Sequence, residues 1–99
     1  MNQKFKILLY YKYIPLQNPE LIKHQQRELC ERLDIKGRIL ISTEGINGTC
    51  AGGEKEINHY VETTTKIPEF ADIEWKISWA DEQVFPRLRV AVREEIVTL

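Results

Sequence analysis

Apolar and polar side chains alternate strictly at the start of the chain. Phe5, Ile7, Leu9, Tyr11 and Tyr13 fall on one parity, and Lys6, Leu8, Tyr10 and Lys12 on the other. A period of two is that of a β-strand, here with one apolar and one mixed face. The apolar set is expected to face inward. Pro15 ends the strand, and Asn18-Pro19-Glu20 opens a helix with an N-cap side chain, a proline at the first helical position and an acid in the first turn. Leu21, Ile22, Leu29 and Leu33 follow at helical spacing, interrupted by Gln25 and Gln26. Asp34 and Gly37 close this helix.

The stretch from Gly37 to Gly53, GRILISTEGINGTCAGG, organises the middle of the chain. Ile39-Leu40-Ile41 supplies a buried strand, and a second short run passes through Cys50 and Ala51. The glycines and Asn47 between them predict a hairpin. Its turn can centre on Glu44-Gly45 or on Asn47-Gly48, and the choice decides which side chains face inward. Gly52-Gly53 leads into a second helix, with Glu54 and Glu56 in its first turn and Ile57, Tyr60, Val61 and Thr64 as its buried stripe. The β-branched run Thr63-Thr64-Thr65 and then Pro68 end it.

Period two returns from Asp72 to Trp79, with Ile73, Trp75, Ile77 and Trp79 on one face and Glu74, Lys76 and Ser78 on the other. It returns again from Arg87 to Arg93, where Leu88, Val90 and Val92 oppose Arg87, Arg89, Ala91 and Arg93. The order is β-α-β-β-α-β-β. This is an α+β, ferredoxin-like layout: an antiparallel sheet with two helices on one face and one added C-terminal strand.

A chain of 99 residues, 42% hydrophobic and 29% charged, forms one domain with a modest core and lies far from the disordered class. Net charge is −1, so bulk electrostatics points to no polyanion; placement matters more. With the apolar sets turned to the helices, Lys6, Tyr10, Lys12, Arg38, Lys76, Arg87, Arg89 and Arg93 fall on the open face, which would hold seven of the fourteen basic side chains. The helices carry the balancing acids Glu20, Glu28, Glu31, Glu54, Glu56 and Glu62. Such a face suits RNA phosphates, with Tyr10 available for stacking. Two other readings use the same residues: solvated strand faces carry Lys and Arg to block aggregation, and an open face can dock a protein domain.

Other chemistry is sparse. Cys30 and Cys50 have neither metal-ligand nor disulfide spacing, and both read as small hydrophobes at the core. His24 and His59 lack ligand-spaced partners, so no metal site is expected. Trp75 and Trp79 read as core. No apolar run nears the ~20 residues of a membrane span, and the Ile7–Tyr10 patch is too short for a secretory signal. The chain reads as cytoplasmic, with no membrane partner and an oligomeric state that the sequence leaves open.

YYKYIPLQNPE (Tyr10 to Glu20), GRILISTEGINGT (Gly37 to Thr49), FADIEWKIS (Phe70 to Ser78) and PRLRVAVREEIVTL (Pro86 to Leu99) together resemble the N-terminal domain of the rhodanese-related tRNA uridine hydroxylases. The resemblance covers essentially the whole chain. It implies an acylphosphatase-like fold, in agreement with the layout above. It further implies that full-length members 5-hydroxylate the wobble uridine (position 34) of tRNA, with molecular oxygen as co-substrate. A rhodanese-type domain bearing the catalytic cysteine would follow Ile96-Val97-Thr98-Leu99, which makes this chain a piece of a longer protein. No catalytic residue and no cofactor are then expected within it; its partners would be tRNA and its own C-terminal rhodanese domain. Glu44 and Asn47 could contribute to a site between domains. Acylphosphatases cradle phosphate in a Gly-rich loop with an arginine after the first strand. Lys12 to Asn18 has neither residue, so the fold likeness does not carry that activity.

Overall fold

The computed structural model describes residues 4–95. Residues 1–3 and 96–99, including the Ile96–Leu99 stretch after which a further domain is expected, lie outside the described residues. The elements run β1 (Phe5–Tyr13), α1 (Pro19–Arg32), β2 (Lys36–Ser42), β3 (Gly45–Gly53), α2 (Glu54–Thr65), a 3-10 turn (Pro68–Phe70), β4 (Lys76–Ala80) and β5 (Leu88–Val92). The predicted order is present. β4 is shorter than the Asp72–Trp79 run suggests, because Ile73 and Trp75 reach the core from irregular backbone.

Local signals explain the helix ends. Asn18 Oδ1 accepts from the Leu21 amide at 3.2 Å, with Pro19 at the first helical position. Past the end of α1, Asp34 takes φ of 54° and the Ile35 amide returns to the Cys30 carbonyl at 2.9 Å.

The five strands form one sheet in the order β4-β1-β3-β2-β5. Three neighbouring pairs are antiparallel, but β2 and β5 are parallel, which corrects the expectation of a wholly antiparallel sheet. The topology explains the exception. β4 and β5 occupy opposite edges, so residues 81–87 must pass from one side of the sheet to the other, about 19 Å at four strand spacings. An extended link of that length reaches about 25 Å, enough to span the sheet without a helix. Midway, Gln83 Nε2 donates to the Ala51 carbonyl of the central strand at 3.0 Å, and Gly37 N–H donates to the Arg87 carbonyl at 3.0 Å. At the β5 edge the Arg27 guanidinium of α1 donates to the Val90 carbonyl at 2.8 Å, occupying an edge acceptor that another strand would otherwise find.

The register overturns the expected parity of β1. Leu8 opposes Cys50 and Tyr10 opposes Gly48, and Leu8, Tyr10 and Cys50 are buried under the helices. Leu9, Tyr11 and Tyr13, expected inside, are about half exposed on the other side. The hairpin turn is Thr43-Glu44, closed by the pair Ser42 and Gly45: it falls one residue before the Glu44-Gly45 that the sequence allows, and Asn47-Gly48 lies within β3. The pairing of β1 with β3 supplies the reason for the parity, since it brings Gly48, which has no side chain, against the Tyr10 ring: a Cβ there would sit 2.4 Å from the ring's Cζ. Tyr10 fills this space and packs against Trp75, with ring centroids 4.6 Å apart and the planes tilted by 54°.

Candidate nucleic-acid interface

The helix-free side of the sheet can be read off the pairings, since directly paired residues share a face. One row crosses all five strands: Lys76, Leu9, Thr49, Arg38 and Arg89. The next holds Tyr11, Asn47, Leu40 and Ala91. Tyr13 and Gly45 begin the row beyond. Arg87 and Arg93 flank β5 at exposed positions of the same parity as Arg89.

Five of the expected residues therefore share the open side: Arg38, Lys76, Arg87, Arg89 and Arg93. Among the described residues, none of the five takes part in an ion pair. The four arginines gather toward the β2–β5 edge, and Lys76 stands on β4 at the opposite edge. Along β1 runs an aromatic column that the parity argument had turned inward. Tyr11 is 55% and Tyr13 53% exposed, and their rings meet edge to face at 5.9 Å. Between the two columns, on the central strand, lie the half-buried side chains of Asn47 and Thr49. Glu44 sits in the exposed turn at the Tyr13 end; its amide donates to Ser42 Oγ at 2.9 Å.

Three expected residues are elsewhere. Lys6 lies on the helix side, donates to Asn58 Oδ1 of α2 at 2.7 Å and approaches the Trp79 ring at 5.5 Å. Lys12 also lies on that side and pairs with Asp72 at 2.9 Å, which holds the Asp72 carboxyl below its ordinary value. Both lysines stand near the ends of β1, where a long stem reaches past the helices to a polar partner. Tyr10, 2% exposed, is not available for stacking on RNA. Its hydroxyl donates to that of Tyr60, whose own proton goes to Gln26 Oε1 at 2.5 Å; Gln26 Nε2 in turn donates to Thr64 Oγ1 at 3.2 Å. This chain explains the glutamine that interrupts the apolar stripe of α1: every polar atom of the buried group has a partner.

The loop after β1 is committed to structure. Ile14 N–H donates to the Glu44 carbonyl at 2.9 Å and Leu16 N–H to that of Thr43 at 3.0 Å, and Pro15 has no N–H. A phosphate cradle needs converging free amides, and this loop has given them to the hairpin. Purified chain is accordingly expected to leave acyl phosphates at their spontaneous rate of hydrolysis. Turnover above that background, lost in Arg38→Gln, would overturn this assignment. Cys30 and Cys50 are free and wholly buried; burial pushes the Cys30 thiol up to about 12 and raises Cys50 as well. Neither has the thiolate character of a nucleophile. Among the described residues no three His, Cys, Asp or Glu side chains come together, and no helix is long and apolar enough to cross a membrane.

Comparison with solved structures agrees with this architecture. BlrB, a BLUF protein in its dark state, superposes with a TM-score of 0.75 at 18% identity over 93% of this chain and 74% of its own. An acylphosphatase from Coxiella burnetii gives 0.62 at 13% identity over 92% and 94%. At these identities the likeness is one of fold alone. Sequence relatives are nearer. A protein of Bacillus mycoides named tRNA uridine(34) hydroxylase is 47% identical over 99% of this chain and 31% of its own length. Proteins of the same name from Corynebacterium efficiens and Aster yellows witches'-broom phytoplasma are 48% and 38% identical, over 93% and 99% of this chain and 30% and 32% of theirs. The chain thus spans under a third of the length of these curated relatives. The profile of the UPF0176 acylphosphatase-like domain matches residues 5–96, and the chain belongs to that family.

Proposed function

We propose that this domain is the tRNA-engaging part of a tRNA uridine(34) hydroxylase, holding the RNA backbone on its open sheet face while the chemistry takes place on a rhodanese-type domain of the longer protein, with molecular oxygen as co-substrate. The name that the relatives carry supports the reaction and the substrate. The observation that carries the role of this domain is the set Arg38, Arg87, Arg89 and Arg93, unpaired among the described residues and converging on a side that neither helix covers. A guanidinium already bound to a carboxylate has little to offer a phosphate; these are not so bound.

In the full-length protein, Arg87→Gln with Arg89→Gln is expected to weaken tRNA binding and to reduce the slope of log affinity against log salt by roughly 0.7–0.9 for each phosphate no longer neutralised. Unchanged affinity and slope would count against the reading. The exposed Leu9 and Tyr11 favour a second one, in which the same face packs on the following domain without touching RNA. Hydrogen exchange with and without that domain distinguishes them, since docking would slow exchange across β1 in the absence of any RNA.

A further inference from the structure

We propose that the open face takes unpaired RNA, as in a tRNA loop, by stacking bases on Tyr11 and Tyr13 while Arg38 and Arg89 hold the backbone. This deepens the preceding reading and rests on it. The tyrosines lie on β1 and the arginines on β2 and β5, with β3 between. From β1 to β2 is two strand spacings, about 10 Å, and β5 lies one spacing further. The columns run side by side, so a strand lying along them can place its bases over β1 and its phosphates over β2 and β5.

Charge complementarity selects the occupant. A protein face meeting Leu9 and Tyr11 would have to cover four arginines that no carboxylate of the described residues neutralises. RNA uses both columns. Duplex RNA hides its base faces and would use only the arginines, whereas splayed bases of an unpaired segment present π-faces to the tyrosines. Asn47 and Thr49 occupy the ground between. Asparagine is a poor strand residue, yet Asn47 stands on the central strand between Tyr11 and Leu40, with its side chain half-buried and engaged in no hydrogen bond among the described residues. Its amide offers both a donor and an acceptor to the edge of a base stacked on Tyr11.

The test uses this 99-residue chain and a fluorescently labelled RNA of about seven nucleotides, the length of a tRNA loop, either unpaired or annealed to its complement, with binding followed by anisotropy over a salt series. The unpaired RNA is expected to bind more tightly. Tyr11→Leu should weaken that binding roughly 5- to 150-fold at unchanged salt slope, and Tyr11→Phe should restore it. Arg38→Gln with Arg89→Gln should weaken binding and flatten the slope. Melting curves matching the parent exclude misfolding at these exposed sites. Equal affinity for the duplex, or wild-type affinity in Tyr11→Leu while the arginine variant loses binding, overturns the stacking assignment and leaves the tRNA reading standing. No binding of either RNA, with β1 protected from exchange in the full-length protein, overturns both and gives the face to a protein partner.

Discussion

Gly45→Ala is expected to destabilise the domain by roughly 3–5 kcal/mol. Gly45 has φ of 148°, a region closed to residues with a Cβ, and an added Cβ would lie 1.9 Å from the Lys12 carbonyl oxygen. That oxygen is main chain, between two interior strands of the sheet. It cannot retreat without breaking the β1–β3 register that pairs Tyr13 with Gly45 and Lys12 with Ile46. Gly53 is the internal control. Its φ is −61°, and the nearest atom to an added Cβ is the end of the Glu56 side chain, at 2.3 Å, which can swing away. Gly53→Ala should therefore cost about 1 kcal/mol or less. Domains of this size hold only about 5–15 kcal/mol in reserve, so the first variant loses a large fraction of its stability. Urea unfolding should show the midpoint falling sharply at similar slope, with the melting temperature lower by at least about 12 °C. Equal midpoints for the two variants would refute the clash.

The same hairpin decides how far the sequence could be read. Both helices, the cap of α1 and the order of elements follow from local signals: Asn18-Pro19, the acids of the first turns, and the Thr63–Thr65 run. β5 also reads correctly, because its large apolar side chains fall on one parity only. β1 does not. Both of its faces carry large apolar groups, and the more apolar one is not the buried one. What decides is non-local. Gly48 leaves room for one ring, and the pairing of β1 with β3 sets Tyr10 opposite it. The alternative turn at Asn47-Gly48 has the stronger dipeptide signal and gives a different register. The candidate site inherits this error. Its arginines survive because β2 and β5 were read correctly, whereas its aromatic member moves from Tyr10 to Tyr11 and Tyr13, one position along the strand.

Within the motif Gly37 to Gly53, scaffold and surface separate cleanly. Gly45 and Gly48 are required by the turn and by the Tyr10 ring, Ser42 holds the Glu44 amide, and Cys50 packs inside. Asn47 and Thr49 answer to none of these demands, and both lie on the open side. The part of the motif that the fold does not explain is thus the part that lies on the open face.

The core also predicts a steep alkaline limit to stability, and its sign follows from burial. Cys30 has a thiol pushed from an ordinary value of 9.0 up to about 12, and Cys50 moves the same way. Tyr10 and Tyr60, linked hydroxyl to hydroxyl, are raised above their ordinary 10.0, burial being the largest cause for both. Below about pH 9 all four groups are protonated in the folded and the unfolded chain, and their contribution is fully present. Above it the unfolded chain releases protons that the folded chain retains, so stability falls as pH rises, by about 1.4 kcal/mol per pH unit for each group. The thiols act first, and the tyrosines join from about pH 10. By about pH 11 the loss at the two thiols alone is on the order of 5 kcal/mol, a large part of the stability of the domain, and the tyrosines add to it in the same direction. Circular dichroism is expected to show cooperative unfolding before that point, and the thiolate and tyrosinate absorbance of these four groups should appear with the same midpoint. At neutral pH both cysteines should stay closed to a thiol reagent until denaturant is added. Ionisation of Cys30 or Tyr60 well ahead of the loss of helix would show that the core admits charge, and the burial account would fail.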